Sequence, residues 1–277
     1  MKRLAVLGQP IAHSLSPAMH TAAFAALGMD RDWSYEAIEL SPEGFAAGVV
    51  ALTEREFVGA NVTVPHKPAA LALADHATGA ASAIGAANTL SFDRDGIRAE
   101  NMDAPGLIAA LPEPPIGKRA LVLGAGGAAR AAVWALAREG ADVSIRNRTA
   151  SRAIELAAAL DVEALDSPRP LRLGDYELVV NATSIGLATG GAVARSQGSD
   201  LKALGVVVDE FSDPMVVVDL VYGAAPTELI TAARRGGATV VDGLEVLVRQ
   251  GAESFRIWTG TDPPLEVMRA AIRSEKQ

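Results

Sequence analysis

A lysine stands where a helix is expected to begin, in the stretch NVTVPHKPAA at residues 61–70. Lys67 precedes Pro68, and proline is common in the first turn of a helix, so Lys67 should lie at or near the N-cap. A cation is disfavoured there because the helix N-terminus carries a partial positive charge. A lysine that weakens its own helix is better explained as a positioned proton donor. Lys67 is therefore a candidate general acid.

The candidate carboxylate partner is Asp103, in ENMDAPGLIAAL at residues 100–111. A second interpretation stays open, because aspartate is a good N-cap and Pro105 suits the first turn of a helix that begins at Ala104. That interpretation accounts for Asp103 as well as a catalytic role does. It does not account for Lys67.

Further polar side chains stand near the expected ends of strands. Ser14 and Ser16 lie two residues apart in HSLSP, and Ser16 is also expected to cap the helix that follows. Thr63 belongs to the strand before Lys67, and Asn88 opens another strand. Open α/β sheets bind ligands at the carboxyl ends of their parallel strands, so these residues are candidate ligand contacts.

A glycine turn follows a continuous apolar strand in ALVLGAGGAARAA at residues 120–132. Gly124, Gly126 and Ala129 give the spacing G-x-G-x-x-A between a strand and an alanine-rich helix. The first glycine permits the tight turn, the second lets the backbone approach a pyrophosphate, and the small third residue lets helix and strand pack closely. A glycine turn without a ligand is the alternative. The context favours dinucleotide binding.

The end of the next strand indicates which dinucleotide is bound. RNRTASR at residues 146–152 contains Arg146, Arg148 and Arg152 but no carboxylate. An NAD site usually has an acidic residue here for the ribose 2′-hydroxyl, whereas a 2′-phosphate needs guanidinium groups. A solvated basic turn is the alternative. The sequence predicts NADP.

Composition excludes several classes of protein. The 277-residue chain has a net charge of −8, which argues against nucleic acid or an anionic membrane as a partner. Without cysteine it cannot form disulfides or thiolate metal sites, and its four histidines show no metal-ligand spacing. The N-terminal apolar run is too short for a signal peptide, and no run approaches the roughly 18 apolar residues of a membrane span. We expect a cytoplasmic protein without a metal.

Strand-like and helix-like stretches alternate along the chain, which predicts an α/β protein with mostly parallel sheets. RLAVLG, SYEAIEL, GANVTV and GAANTLSF are the expected strands of the first series. A second series begins at RALVLGAGG, and GLEVLVRQGAESFRIWTG is expected to form a long helix near the end. Residues 187–200 are expected to form a polar, glycine-rich loop.

Motifs along the whole chain resemble those of the shikimate dehydrogenase family, namely GQPIAHSLSPAMH, NVTVPHK, GAANTL, GAGGAARA, NRTASRA, NATSIG, DLVY and QGAESFRIWTG. The resemblance implies NADPH-dependent, reversible reduction of 3-dehydroshikimate to shikimate in aromatic amino-acid biosynthesis. It implies a substrate-binding and catalytic domain at 1–103, completed by the C-terminal helices of 243–277. A Rossmann-like NADP-binding domain would occupy 104–242, with the active site in the cleft between the two.

The resemblance also implies roles for individual residues. Lys67 and Asp103 would be the catalytic pair. The substrate would be bound by Ser14, Ser16, Thr63, Lys67, Asn88, Asp103, Tyr222 and Gln250. The cofactor would be bound by Gly124, Gly126, Gly127, Ala128, Asn147, Arg148, Thr149, Arg152, Thr183 and Gly243. The sequence departs from the family pattern in the residues around Asp103 and in the loop 187–200.

Two alternatives remain open. A related enzyme could act on quinate, with NAD or with both cofactors, although two small serines and the arginine-rich turn favour shikimate and NADP. A catalytically inactive dinucleotide-sensing protein would have no need of both Lys67 and Asp103. We expect small-molecule ligands as partners and a monomer or a homodimer.

Overall fold

The computed structural model describes residues 1–165, 171–187, 198–223 and 225–275. The chain divides into two compact units, unit 1 with Met1–Gly106 and Leu247–Gln277, and unit 2 with Leu107–Val246. The chain thus leaves unit 1, builds unit 2 and returns to unit 1 near its end. Of the loop predicted at 187–200, residues 188–197 lie outside the described residues.

Unit 1 contains a six-stranded sheet and the helices that pack on it, counted over the described residues. Its elements before unit 2 are β1 (Lys2–Gly8), α1 (Ser16–Ala26), β2 (Trp33–Glu39), α2 (Phe45–Glu54), β3 (Phe57–Val62), α3 (Lys67–Leu73), β4 (His76–Ala77), α4 (Gly79–Ile84), β5 (Thr89–Asp93), β6 (Gly96–Glu100) and α5 (Asp103–Ala110). The helices α10 (Gly243–Thr259) and α11 (Leu265–Ser274) bring the chain back.

The strand order of this sheet is β2-β1-β3-β5-β6-β4. β1 pairs in parallel with β2 and β3, and β4 with β6, whereas β5 is antiparallel to both β3 and β6. The strands predicted at RLAVLG and SYEAIEL are confirmed. The hairpin partner β6 was missed, because GIRAE is short and two of its five residues are charged.

The ends of β1 and β3 lie close together because Gly8 has no side chain. A Cβ atom on Gly8 would stand 2.5 Å from Thr63 Cγ2 and 3.2 Å from the carbonyl oxygen of Val64. The amide of Gln9 donates to that same carbonyl at 3.0 Å. The segment after β1 therefore passes directly beside the turn that leads to α3.

Helix α1 begins differently from the prediction. The N-cap is Leu15, Ser16 is the first helical residue, and no side chain caps the helix. The expected capping role of Ser16 is therefore wrong. The nearest substitute is Ser14, whose Oγ accepts the amide N–H of Ser16 at 3.4 Å. Gly28 follows the helix with φ +66°, as expected for a residue just past a helix end.

Unit 2 is a Rossmann-like unit. Its elements are β7 (Arg119–Leu123), α6 (Gly127–Arg138), β8 (Asp142–Arg146), α7 (Ala150–Leu160), β9 (Glu163–Ala164), β10 (Leu178–Asn181), α8 (Ser199–Leu204), β11 (Val216–Asp219), α9 (Glu228–Arg235) and β12 (Thr239–Asp242). Over the described residues the sheet is all parallel, in the order β12-β11-β10-β7-β8-β9. The order reverses between β7 and β10.

Strand β7 shows why this sheet is apolar on both faces. Ala120 and Val122 belong to one core cluster, while Leu121 and Leu123 belong to another. Successive side chains of a strand point to opposite faces, so a strand covered on both sides must be apolar throughout. The continuous run ALVL in the sequence reflects that burial.

The ranges that the structure describes contain neither a membrane-spanning helix nor a metal-binding group of side chains. No helix there is both long and apolar enough to cross a membrane. No group of three or more His, Cys, Asp or Glu side chains there comes together in a way that could hold a metal ion.

The apolar contact between α1 and the sheet of unit 1 contains a histidine. His20 is fully buried, stacks on Tyr35 with ring centroids 4.3 Å apart and lies near Phe255. Neither ring nitrogen has a hydrogen-bond partner among the described residues. Burial lowers the pKa of His20 from 6.5 to about 3, because the charged imidazolium would lose its hydration.

The pKa of His20 predicts acid sensitivity. Below pH 6.5 the imidazole of His20 is protonated in the unfolded chain but stays neutral in the folded chain. The free energy of unfolding therefore decreases as the pH falls from 6.5 towards 3. In His20→Phe this loss should vanish. The free energy of unfolding of the variant relative to that of the parent should therefore increase by about 2 kcal/mol from pH 7 to pH 5. Urea unfolding at several pH values measures it. Parallel curves would mean that the pKa of His20 is ordinary.

Candidate active site

Lys67 is the first residue of α3 and is 9% exposed. The preceding turn is held by His66, whose ring stacks on Phe45 and whose Nε2 donates to the carbonyl oxygen of Leu40 at 2.7 Å. The amide of His66 donates to the carbonyl of Thr63 at 2.9 Å. The predicted place of Lys67 at a helix start is therefore confirmed, and the turn that carries it is fixed on two sides.

Asp103 is the partner of this lysine. Lys67 Nζ donates to Asp103 Oδ2 at 2.5 Å, and the two side chains are 11% and 19% exposed. The negative charge offsets the unfavourable interaction of the ammonium with the N-terminus of α3. A small part of each side chain still reaches the surface, so a ligand can contact the pair.

Asp103 does not cap its own helix. Asn101 takes that role, because its Oδ1 accepts the amide N–H of Ala104 at 3.2 Å while its Nδ2 donates to the carbonyl of Ala86 at 2.9 Å. The interpretation of Asp103 as an N-cap is therefore wrong. With Asn101 satisfying the backbone, both oxygens of Asp103 are available for side-chain partners.

Asn88 joins the pair to helix α10. Its Nδ2 donates to Asp103 Oδ1 at 2.9 Å and to Gln250 Oε1 at 3.0 Å. Its Oδ1 accepts the amide N–H of Met102 at 2.7 Å, which fixes which way the amide faces. Four predicted site residues thus form one cluster, which we call the polar cluster: Lys67, Asn88, Asp103 and Gln250.

A buried network beneath the polar cluster was not predicted. Ser254 is fully buried on α10, accepts a hydrogen bond from Asn61 Nδ2 at 2.9 Å and lies 2.8 Å from Thr89 Oγ1. Asn61 Oδ1 in turn accepts the hydroxyl of Tyr35 at 2.7 Å. The signal available in the sequence was spacing, because Ser254 follows Gln250 by four residues and so shares its helix face.

The remaining predicted substrate contacts of unit 1 lie at the same edge of its sheet. Thr63 follows β3 directly, and its amide donates to the carbonyl of Leu7 at 2.8 Å. Ser14 and Ser16 follow β1, the neighbour of β3, and Ser16 is 5% exposed. None of the three is hydrogen-bonded to the polar cluster within the described residues.

The glycine turn of unit 2 leads tightly from β7 into the start of α6. Gly124 has φ +117°, and a Cβ on it would stand 2.9 Å from the carbonyl oxygen of Ala182, so no other residue fits. Gly126 is the N-cap of α6, and a Cβ on it would meet nothing within 4 Å. The space beside this N-cap residue is therefore open. The first amides of the helix, from Gly127 and Ala128, have no intrahelical acceptor and can bind phosphate.

The arginine-rich turn follows β8 in the same unit. Asn147 Nδ2 donates to the carbonyl of Thr149 at 2.9 Å and so shapes the turn, and Thr149 is the N-cap of α7. Arg148 and Arg152 are exposed and make no ion pair among the described residues. Both guanidinium groups can therefore reach an anionic ligand.

The other predicted residues of unit 2 lie one to three positions after the ends of β10, β11 and β12. Thr183 Oγ1 donates to Asn181 Oδ1 at 2.7 Å. Tyr222 follows β11, and burial raises the pKa of its phenol, which keeps the hydroxyl protonated. Gly243 opens α10, where a Cβ would stand 2.7 Å from the carbonyl oxygen of Leu220, so the residue must be glycine.

Comparison with known proteins identifies the family. Three profiles match in turn: "Shikimate dehydrogenase substrate binding domain" at residues 6–90, "Shikimate / quinate 5-dehydrogenase" at 113–209 and "Shikimate 5'-dehydrogenase C-terminal domain" at 243–273. The NADP(+) shikimate dehydrogenase of Methanothermobacter thermautotrophicus is 41% identical over 278 residues, which are 97% of this chain and 94% of that protein. The chain belongs to the shikimate dehydrogenase family.

Solved structures of this family agree with the fold. The shikimate 5-dehydrogenase of Thermus thermophilus in complex with NADP(H) and shikimate has a TM-score of 0.85 and 38% identity, with 99% of both chains covered. A shikimate dehydrogenase in complex with NADP+ has a TM-score of 0.87 and 32% identity, with 100% of this chain and 96% of that chain covered.

In this member of the shikimate dehydrogenase family, a glycine lets α5 approach the backbone of α10. A Cβ on Gly106 would stand 2.6 Å from Gln250 Cβ and 2.7 Å from the Gln250 amide nitrogen. The contact is with backbone and cannot be relieved by rotating a side chain. Since α5 carries Asp103 and α10 carries Gln250, this close approach sets the distance across which Asn88 bridges them.

Gly106→Ala should therefore destabilise the protein although alanine is the better helix former. Overpacking costs about 1–3 kcal/mol and the gain in helix propensity is about 1 kcal/mol, so we expect a net loss of up to about 2 kcal/mol. Urea unfolding measures it. The control is Gly79→Ala at the start of α4, where a Cβ meets nothing within 4 Å. A Gly106→Ala protein at least as stable as the control would contradict the close contact.

Proposed function

We propose that the protein catalyses the reversible, NADPH-dependent reduction of 3-dehydroshikimate to shikimate. The observation that carries the proposal is the ion pair of Lys67 with Asp103, held by Asn88 at the ligand-binding edge of an α/β sheet. Family membership supports the reaction class. The open glycine turn of unit 2, with Arg148 exposed one strand away, supports the cofactor.

Unit 1 binds the substrate in this proposal, and its side chains supply the proton. NADPH, when bound to unit 2, supplies the hydride that reduces the C3 carbonyl. Lys67 Nζ gives a proton to the oxygen that gains negative charge, and Asp103 Oδ2 holds the ammonium in place. Lys67 then regains a proton from solvent. In the reverse direction the neutral amine of Lys67 accepts the hydroxyl proton.

Asn88 is central to the orientation of the pair. Because its Nδ2 donates to Asp103 Oδ1, only Oδ2 faces Lys67, and the ammonium keeps its other protons for the substrate. We assign Ser14, Ser16 and Tyr222 to the substrate carboxylate. Thr63, Asn88, Asp103 and Gln250 are assigned to its hydroxyl groups.

The 2′-phosphate of NADP is assigned to Arg148 and Arg152, with Asn147 and Thr149 shaping the turn that presents them. Gly124, Gly126, Gly127 and Ala128 are assigned to the pyrophosphate, and Thr183 and Gly243 to the nicotinamide end. Action on quinate is the alternative substrate specificity. A cytoplasmic location and a monomer or homodimer stay predictions.

The direct test is an absorbance assay of the purified protein. We expect NADPH to be oxidised with 3-dehydroshikimate, and NADP+ to be reduced with shikimate faster than with quinate. NAD+ should be the poorer oxidant. Binding of NADPH without turnover of either acid would refute the proposed reaction and favour a sensing role.

The Lys67→Ala variant tests the proton donor. A positioned acid contributes about 10²–10⁴ in rate, so kcat should fall by about that factor while the KM for shikimate changes far less. Lys67→Arg should be almost as slow, because a guanidinium keeps the positive charge but does not release its proton. Steady-state kinetics in both directions measure the effect.

Two outcomes would contradict this role of Lys67. An arginine variant with near-normal kcat would show that charge alone matters. A loss confined to KM would show that the lysine only binds substrate. Asp103→Asn is the companion variant, because it keeps an oxygen for Asn88 but removes the charge that holds Lys67, and its kcat should also fall.

The Arg148→Ala variant tests cofactor selection. A hydrogen bond to a charged group contributes about 1.5–3 kcal/mol, so the KM for NADP+ should rise roughly 10- to 150-fold. The KM for NAD+, which has no 2′-phosphate, should barely change. Arg94→Ala, at the exposed turn between β5 and β6, is the control that removes one positive charge elsewhere. Equal effects of Arg148→Ala on both cofactors would refute the assignment.

A further inference from the structure

A carboxyl group lies fully buried at the end of β11. Asp219 is 0% exposed and accepts three hydrogen bonds, from Asn181 Nδ2 at 2.8 Å, from the amide of Val221 at 3.1 Å and from Thr227 Oγ1 at 2.5 Å. Burial raises the pKa of Asp219, which reflects the cost of removing a carboxylate from water. An apolar residue at this position would avoid that cost, so the presence of a buried carboxyl group with three hydrogen bonds needs an explanation.

The donors to Asp219 come from three different segments of unit 2. Asn181 ends β10, and its Oδ1 also accepts the amide and the hydroxyl of Thr183, at 3.1 Å and 2.7 Å. Val221 belongs to the segment after β11. Thr227 is the N-cap of α9, where its Oγ1 accepts the amide of Ile230 at 3.2 Å. One carboxyl group thus ties together the residues that follow two neighbouring strands and the start of a helix.

The position of these segments in the sheet indicates which part of a dinucleotide they face. The strand order reverses between β7 and β10, and dinucleotides bind across such a reversal. Arg148, the candidate partner of the 2′-phosphate, follows β8 on one side of it. The segment after β10 lies on the other side and touches the phosphate turn, since a Cβ on Gly124 would stand 3.3 Å from the amide nitrogen of Thr183. We therefore expect the nicotinamide half over β10 and β11.

We propose that Asp219 is a positioning residue for the nicotinamide half of the cofactor. It holds the segment Asn181–Ile185 against the segment after β11, so that Thr183, which is assigned to the nicotinamide end, is fixed before the cofactor binds. The inference rests on the proposed function, because it concerns the same cofactor. Unit 2 then has an adenosine half that does not depend on Asp219 and a nicotinamide half that does.

Two ligands separate this role from general support of the fold. NADPH contacts both halves, whereas adenosine 2′,5′-diphosphate contains only the adenosine half with its 2′-phosphate. Calorimetric titration without substrate gives the Kd of each ligand. In Asp219→Ala the Kd for NADPH should rise about tenfold, which corresponds to ~1.4 kcal/mol, and the Kd for adenosine 2′,5′-diphosphate should change less than about twofold.

Thr227→Val is a milder variant that removes one hydrogen bond to Asp219 with little change of shape. Its matched control is Thr78→Val, because Thr78 caps α4 in the same way, with its Oγ1 accepting the amide of Ala81 at 3.2 Å. No carboxylate accepts the hydroxyl of Thr78 within the described residues. Both substitutions should lower Tm, but only Thr227→Val should weaken the binding of NADPH. Thr227→Ser keeps the hydroxyl and should restore NADPH affinity.

The outcomes are distinct. The positioning role is supported if Asp219→Ala and Thr227→Val weaken the binding of NADPH selectively and Thr227→Ser binds NADPH as the parent does. Equal weakening of both ligands, or weakening of neither, would overturn it while leaving the proposed function intact. A parent protein that does not bind NADPH would overturn the proposed function and this inference with it.

Discussion

The candidate active site depends on one ion pair, in which each charge would be unfavourable without the other. Lys67 stands at the start of a helix, where its charge is disfavoured, and Asp103 is four-fifths covered. Removing either partner would leave the other charge poorly solvated. A buried pair is in itself weak evidence for stability, because apolar residues of similar size often stabilise a protein equally well. The retention of both charges at a sheet edge is more readily explained by chemistry than by folding.

The surroundings of the pair explain how it keeps its geometry. Asn101 caps the helix that carries Asp103, and Asn88 occupies the second oxygen of that carboxylate. Gln250 and Ser254 bring helix α10 into the same set of hydrogen bonds. Buried polar groups are costly unless every donor and acceptor is satisfied, and a satisfied network specifies one arrangement. Helix α10 therefore does more than cover the sheet, because its Gln250 completes the polar cluster.

Unit 2 solves a similar problem with backbone. The glycines at 124 and 126 leave helix amides open to a phosphate, and no side chain has to be desolvated for that purpose. The segments after β10 and β11 have no such regular geometry. They are held instead by Asp219 and Asn181, two buried polar side chains at the ends of adjacent strands. The glycine turn is thus positioned by regular backbone structure, whereas the segments after β10 and β11 are positioned by side-chain hydrogen bonds.

Local patterns in the sequence were sufficient for much of this protein. The glycine spacing, the arginine-rich turn and the place of Lys67 could be predicted because each depends on the backbone within a few residues. The run ALVL predicted a buried strand for the same reason. The capping roles that were expected of Ser16 and left open for Asp103 were wrong, since serine and aspartate are good caps in general but neither side chain caps its helix here.

The family resemblance implied the pair of Lys67 with Asp103, but only the tertiary structure showed which polar residues meet. Asp103 and Lys67 are 36 residues apart, and Asn88 and Gln250 are 162 apart. Neither separation leaves a periodic signal, because hydrogen bonds between distant segments are selected by how the strands are ordered and how closely helices approach. Ser254 and Asp219 look like ordinary polar residues in the sequence for that reason. The sequence by itself determined the kinds of groups available and the strands and turns that carry many of them, and the packing of those elements determined which groups act together.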